Sequence, residues 1–154
     1  MDWLQQFEII GEVALAILLG GIIGLEREVA DKPAGFRTHM LVAGAAALLV
    51  GLSNALIESF GADAAPRFIN ADPIRIVQGI IIGISFIGGG TILRDAKTQN
   101  VEGLTTAASL LLTGGIGIAV ALRQFVIAVG ITLLTILVLR VLMFVENYFK
   151  RHSR

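Results

Sequence analysis

The side chains best suited to chemistry stand together in GLEREVADKPAGFRTH, Gly24 to His39. This stretch sets Glu26, Arg27, Glu28, Asp31, Lys32, Arg37 and His39 between two apolar runs. Three chemistries are open to such residues: paired buried charges, a carboxylate site for a hard cation, and proton exchange at a histidine. Mg²⁺ usually takes one or two carboxylates plus waters. Glu26, Glu28, Asp31 and Asp95 offer such groups, but no spacing among them selects a metal site, so none is assigned. His39 can titrate near neutral pH, although a single histidine reads first as an interfacial hydrogen bonder. Ser85 in GISF has no histidine expected at its depth, and a nucleophile needs a base within reach. There is no cysteine, which removes disulfides, thiolate metal sites and thiol catalysis. No catalytic residue and no cofactor are expected, and the chain reads as a non-enzyme.

The elements that must position these groups are apolar helices. The 154 residues are 55% hydrophobic and 16% charged, against about 25% charged in a soluble domain. With a mean hydropathy of +0.82, the expected class is an all-α integral membrane protein whose first partner is the lipid bilayer. Net charge is zero, so no basic face points to nucleic acid. A span needs roughly 17–25 mainly apolar residues. Five are read: about Ile9–Leu25, Met40–Ile57, Ile76–Leu93, Leu104–Leu122 and Phe125–Val145. The N-terminus carries Asp2, Glu8 and Glu12 with no Lys or Arg ahead of the apolar run. It is therefore expected to stay as a span and not to be a cleaved signal.

Basic residues set the expected orientation. With the N-terminus outside, nine of the twelve Lys and Arg residues fall on one side and three (Arg67, Arg75 and Arg123) on the other. The positive-inside rule then predicts N-out, C-in, with residues 146–154 as a basic cytoplasmic tail. Glu12 would lie one turn inside the outer end of the first span, snorkelling outward or facing the bundle as an intramembrane acid.

Small residues at helical i+4 spacing predict close packing. They run Ala16–Gly20–Gly24, Ala43–Ala47–Gly51–Ala55, Gly79–Gly83 and Ser109–Thr113–Gly117–Ala121. The expected arrangement is a tight four-helix core, with the fifth helix peripheral or mediating a homo-oligomer. Asp72 and Pro73 are placed to open the third span, followed by Arg75, since Asp suits an N-cap and Pro the first helical position. Thr38 and Thr105 or Thr106 are placed to cap the second and fourth. The run Gly88-Gly89-Gly90-Thr91 predicts either a close helix contact or backbone facing a polar cavity.

This topology puts Glu26, Arg27, Arg37, Thr38 and His39 on one rim with Gly88, Gly90, Thr91, Arg94, Gly103, Thr105 and Thr106. Charges buried at a bundle end are expensive unless paired. The expectation is one cytoplasmic-rim cluster in which Glu26 pairs with Arg37 or Arg94. The competing reading, which suits Lys32, Lys97 and Asp95, is that the charges are solvated.

Five motifs in order, GGIIGLERE, GFRTH, DPIRI, GISFIGGGTIL and VEGLTTAAS, resemble the MgtC/SapB proteins of bacterial inner membranes. The resemblance covers most of Gly20 to Ala121. It carries over Glu26, Arg27, Gly35, Arg37, Thr38, His39, Asp72, Arg75, Gly83, Phe86, Gly88, Gly90 and Gly103 to Thr106. It implies a multi-pass domain linked to magnesium limitation and to survival inside host cells. It further implies action by modulating other membrane proteins, the proton-driven ATP synthase among them, with a small ion or solute transporter as the alternative. Departures are Ser85, Ile87 and Gly89 in the glycine-rich motif, Leu111 where a tryptophan is frequent, and Gly114–Gly115 for an Ala pair. With the chain ending at Arg154, the soluble C-terminal domain of longer members is expected to be missing.

Overall fold

The structure is a computed structural model describing residues 3–61, 73–94 and 101–152, with side chains over 3–55, 74–92 and 101–141. Five helices occur among these residues: α1 Trp3–Val29, α2 Phe36–Gly61, α3 Pro73–Gly90, α4 Leu104–Ala121 and α5 Phe125–His152. A two-stranded antiparallel ladder, β1 Leu93–Arg94 with β2 Val101–Glu102, joins α3 to α4 in the register Leu93↔Glu102. Two-residue strands carry no periodicity, so this ladder leaves no signal in the sequence.

Among the described residues, three helical stretches are long and apolar enough to cross a membrane: Trp3–Val29, Phe36–Ala55 and Leu104–Ala121. Ile74–Gly90 and Phe125–Val141 are shorter apolar helices. At about 1.5 Å per residue, the 27 residues of α1 reach well beyond the roughly 30 Å of a hydrocarbon core. The expected span Leu104–Leu122 agrees with α4 to within a residue, whereas α1 and α2 extend past their apolar runs. The third stretch ends at Gly90 and not at Leu93.

Helix ends follow local backbone chemistry. Asp31 takes a left-handed φ of 53° after α1, and Arg123 one of 59° after α4. In both, the following amides turn back onto the last turn: Lys32 N–H donates to Arg27 O at 3.0 Å, and Gln124 N–H to Ala119 O at 2.9 Å. Such caps satisfy carbonyls left free at a helix C-terminus, and Pro33 then blocks continuation. Pro73 is the first residue of α3, as its type predicts, while Asp72 lies outside the described residues.

The threonine caps are a correction. α4 is capped by Gly103 (φ 88°) with no side-chain hydrogen bond. The amide opening α2, Phe36 N–H, donates to Glu28 Oε2 at 2.9 Å. Thr38, Thr105 and Thr106 lie inside the first turns, past the position from which a side chain can cap.

Helices α1, α2 and α4 pack most intimately; α3 rests chiefly on α4, and α5 on α4 and α1. The buried core is Ala16, Leu19, Ile23, Ala43, Ala46, Ala47, Val50, Leu110, Ile116 and Val120, with flanking residues from the other helices. The predicted ridges on α1, α2 and α4 supply the close approach. A Cβ on Gly20 would stand 2.6 Å from His39 O and 2.7 Å from Ala43 Cβ, and one on Gly117 would collide with Ala43 O. The ridge Gly79–Gly83 behaves differently: nothing lies within 4 Å of a Cβ at either position. Small-residue spacing shows that a face permits approach, not that a neighbour arrives. In α5, Ala128, Thr132, Thr135 and Leu139 form a buried stripe that no small-residue ridge announces. Its hydroxyls are satisfied within the helix, Thr132 Oγ1–H donating to Ala128 O at 2.8 Å and Thr135 Oγ1–H to Ile131 O at 2.7 Å.

Candidate functional site

Glu26 and Arg27 are the last buried residues of α1. Arg27 Nε–H donates to Glu26 Oε2 at 2.5 Å, with side chains 3% and 6% exposed. Adjacent residues on a helix normally point away from each other; here both are enclosed because the α1–α2 turn folds over the helix end. Gly24 permits this, since a Cβ there would lie 2.8 Å from Phe36 Cα. Gly35 permits it too, because a Cβ would collide with the Glu28 carboxylate that caps α2.

His39 follows one turn into α2 and is fully buried. Its Nδ1 lies 2.9 Å from Gly35 O, and its Nε2 lies 3.0 Å from Ser109 Oγ on α4. Ser109 Oγ is also 2.8 Å from Thr106 O. One hydroxyl proton cannot serve both partners. When His39 is neutral, Nδ1–H donates to Gly35 O and Ser109 Oγ–H turns to Nε2. When His39 is an imidazolium, both ring nitrogens donate and the hydroxyl turns to Thr106 O. The site therefore holds a hydroxyl whose orientation follows one proton. Glu26 Oε1 and Thr106 Oγ1 are buried there without a hydrogen-bond partner, an expensive condition for a carboxylate oxygen in an apolar setting.

The other predicted rim residues divide. Thr91 closes α3, its Oγ1–H donating to Gly88 O at 2.7 Å. Gly88 is buried against α4, with a Cβ position 3.4 Å from Ala107, whereas Gly90 meets nothing within 4 Å. Gly103 is needed twice over, for its left-handed φ and because a side chain would strike Thr91 O. Thr105 is exposed and Thr106 buried. Arg75 is exposed on α3.

Arg37 corrects the expected pairing. Glu26 is matched by its neighbour Arg27, while Arg37 is exposed on the opposite side of α2 beside Thr38, at the mouth of a groove against α3. Two residues apart on a helix, Arg37 and His39 face different ways. Arg94 contributes its backbone to β1, and its side chain lies outside the described residues. Sequence reasoning placed Ser109 on a packing ridge and Glu28 among possible cation carboxylates, and missed their roles as the partner of His39 and the cap of α2. Ser109 had a legible signal, lying one turn after Thr106 on the small ridge of α4.

At the other end of the core, Glu12 neither snorkels alone nor faces the bundle unpaired. Arg123 Nε–H donates to Glu12 Oε1 at 3.1 Å, and Arg123 Nη2–H donates to Glu8 Oε2. The adjacent Glu8 carboxylate, and then Glu12, hold the Arg123 pKa above its ordinary value. Gln5, Asn54 and these charges line a polar notch of about 320 Å³. Glu8 and Arg123 were legible: Glu8 and Glu12 share a helix face, and Arg123 lies between two expected spans. Among the described residues no group of three His, Cys, Asp or Glu side chains converges on a metal position.

The MgtC family profile matches residues 13–148. The chain belongs to the MgtC family. Among curated relatives, it is 35% identical to the putative magnesium transporter YhiD of Escherichia coli over 87% of this chain and 60% of the relative. It is 37% identical to Protein MgtC of Salmonella typhimurium over 83% of this chain and 49% of that protein. With Protein SapB of Bacillus subtilis it shares 35% identity over 77% of this chain and 50% of the relative. The chain thus spans about half to three-fifths of the relatives' lengths. No solved structure matches it. In this MgtC-family membrane protein, the GLERE and GFRTH stretches meet at one place in space: they form the fold of α1 over α2 that buries Glu26, Arg27 and His39.

Proposed function

We propose that this MgtC-family chain is a non-enzymatic, multi-pass protein of the bacterial inner membrane that modulates other membrane proteins by docking on them. By family resemblance its setting is magnesium limitation or adaptation to stress and virulence, and the ATP synthase is one partner class. The N-out, C-in orientation belongs to this reading and rests on the placement of Lys and Arg.

One observation carries the proposal. Between the buried Glu26–His39 end and the Glu8–Glu12–Arg123 end, α1, α2 and α4 meet through Ala16, Leu19, Ile23, Ala43, Ala46, Ala47, Leu110, Ile116 and Val120. Thr113 Oγ1–H in this region is spent on Ser109 O at 2.8 Å. A core closed by apolar side chains offers an ion no ligands, and a bare charge there is prohibitive.

Transport is the second reading. The buried, unpartnered Glu26 Oε1 favours it, as does the relative named a putative magnesium transporter. The test is ion flux into liposomes holding the purified full chain, with Glu26→Ala and Arg37→Ala controls. The modulator reading expects no flux above protein-free liposomes; robust flux lost in both variants would replace it with the transporter.

A further inference from the structure

The groove between α2 and α3 has a chemistry that the proposed function does not use. Its volume is about 690 Å³, within the range of roughly 300–1,000 Å³ typical of small-molecule sites. Leu41, Leu49, Ile80 and Ile87 are among the apolar residues of its walls. Gly79 and Gly83 stand one turn apart along α3 in the lining, where no protein atom lies within 4 Å of a Cβ position. The hydroxyl of Ser53, far along α2, is already committed to Leu49 O at 2.6 Å.

Polarity is otherwise confined to the start of α2, where Arg37 and Thr38 line the same groove. Arg37 is the second residue of the membrane-crossing stretch Phe36–Ala55, so it stands at headgroup depth while the groove below runs into hydrocarbon. No side chain among the described residues forms an ion pair with it; of the carboxylates at the α1–α2 turn, Glu26 and Glu28 are bound to Arg27 and to Phe36 N–H. A long apolar groove with one cation and one hydroxyl at its interfacial end complements an amphiphile with a single anionic head. The bilayer supplies that molecule at high local concentration. A helix from another protein would match only if it carried an acid at that depth.

We propose that the α2–α3 groove is a binding site for an anionic phospholipid, its phosphate held by Arg37 and Thr38 and one acyl chain lying over Gly79 and Gly83. Arg suits this role because its planar fork meets phosphate oxygens with two parallel hydrogen bonds.

The full chain, taken into nanodiscs of equal phosphatidylglycerol and phosphatidylethanolamine and released for native mass spectrometry, tests it. The retained lipid should be enriched roughly fivefold in phosphatidylglycerol, since a basic residue at an anionic surface contributes on the order of 1 kcal/mol. Arg37→Ala should abolish the enrichment, Arg37→Lys should keep part of it, and Lys32→Ala, outside the groove, should not change it. Gly79→Leu with Gly83→Leu, at positions where a Cβ meets no protein atom within 4 Å, should fill the groove and release both lipids, with helicity by circular dichroism unchanged. Undiminished enrichment in Arg37→Ala would overturn the proposal. So would a retained second copy of the chain, or another protein, that the glycine variants displace in place of lipid.

Discussion

Each end of the core carries a glutamate–arginine pair, and the two differ in what surrounds them. At one end Glu26 and Arg27 are neighbours in sequence, enclosed by the α1–α2 turn, with side chains 6% and 3% exposed. At the other, Arg123 reaches across from the α4–α5 turn to Glu8 and Glu12; the side chains of Arg123 and Glu8 are 60% and 58% exposed, that of Glu12 13%. Removing one partner of a buried pair strands a charge where solvent cannot help, while an exposed pair is screened and contributes little. The same residue types should therefore be costly to break singly at one end and act as a weaker tether at the other. The more exposed pairing joins distant elements; the enclosed one joins adjacent residues.

Glu26→Ala puts this contrast to its hardest test, because it leaves Arg27 buried without its partner. Unfolding in detergent should show a loss of about 3–5 kcal/mol, and adding Arg27→Leu should recover much of it. A loss no larger than that of an exposed substitution would mean that water reaches the pair. Next comes Gly117→Ala, whose methyl would press on Ala43 O of α2. It should cost roughly 1–3 kcal/mol by the same measurement, whereas Gly115→Ala, where a Cβ meets nothing within 4 Å, should cost nothing and gain up to about 1 kcal/mol from helix propensity.

Ser109→Ala should cost about 1 kcal/mol and should also shift the His39 ring nitrogen resonances, because it deletes the hydroxyl that Nε2 faces. Unmoved resonances would place the histidine elsewhere. The smallest effect is expected at the exposed end. Arg123→Ala should lower the unfolding midpoint only slightly, and Arg123→Gly should be more stable than Arg123→Ala, because glycine adopts the left-handed φ of 59° without strain. The reverse order would show that the left-handed backbone at position 123 is not a source of strain.

Much of this architecture is legible in the amino-acid sequence. The apolar runs mark all five helices, since each needs a long hydrophobic stretch whatever its neighbours are. The i+4 ridges on α1, α2 and α4 name the residues that meet, because only small side chains allow backbones so close. The expected rim includes Glu26, Arg27, His39 and Thr106, all of which prove buried. Its pairing of Glu26 with Arg37 fails, because the direction in which Arg37 leaves α2 depends on where α3 lies; the alternative partner, Arg94, has its side chain outside the described residues. Ser109 reads as packing alone, since its partner is 70 positions away. Gly79 and Gly83 carry the same spacing as the true contacts and line an open groove instead.

Composition and local periodicity suffice to assign this protein its solvent, the number and rough extent of its helices, and the faces that allow close approach. Those properties are written within a few turns of chain. Which charges are enclosed, which hydroxyl faces His39 and which glycine ridge is filled were settled by packing alone. They depend on the relative placement of helices far apart in sequence, where one turn folding over a helix end converts a solvated carboxylate into a buried one.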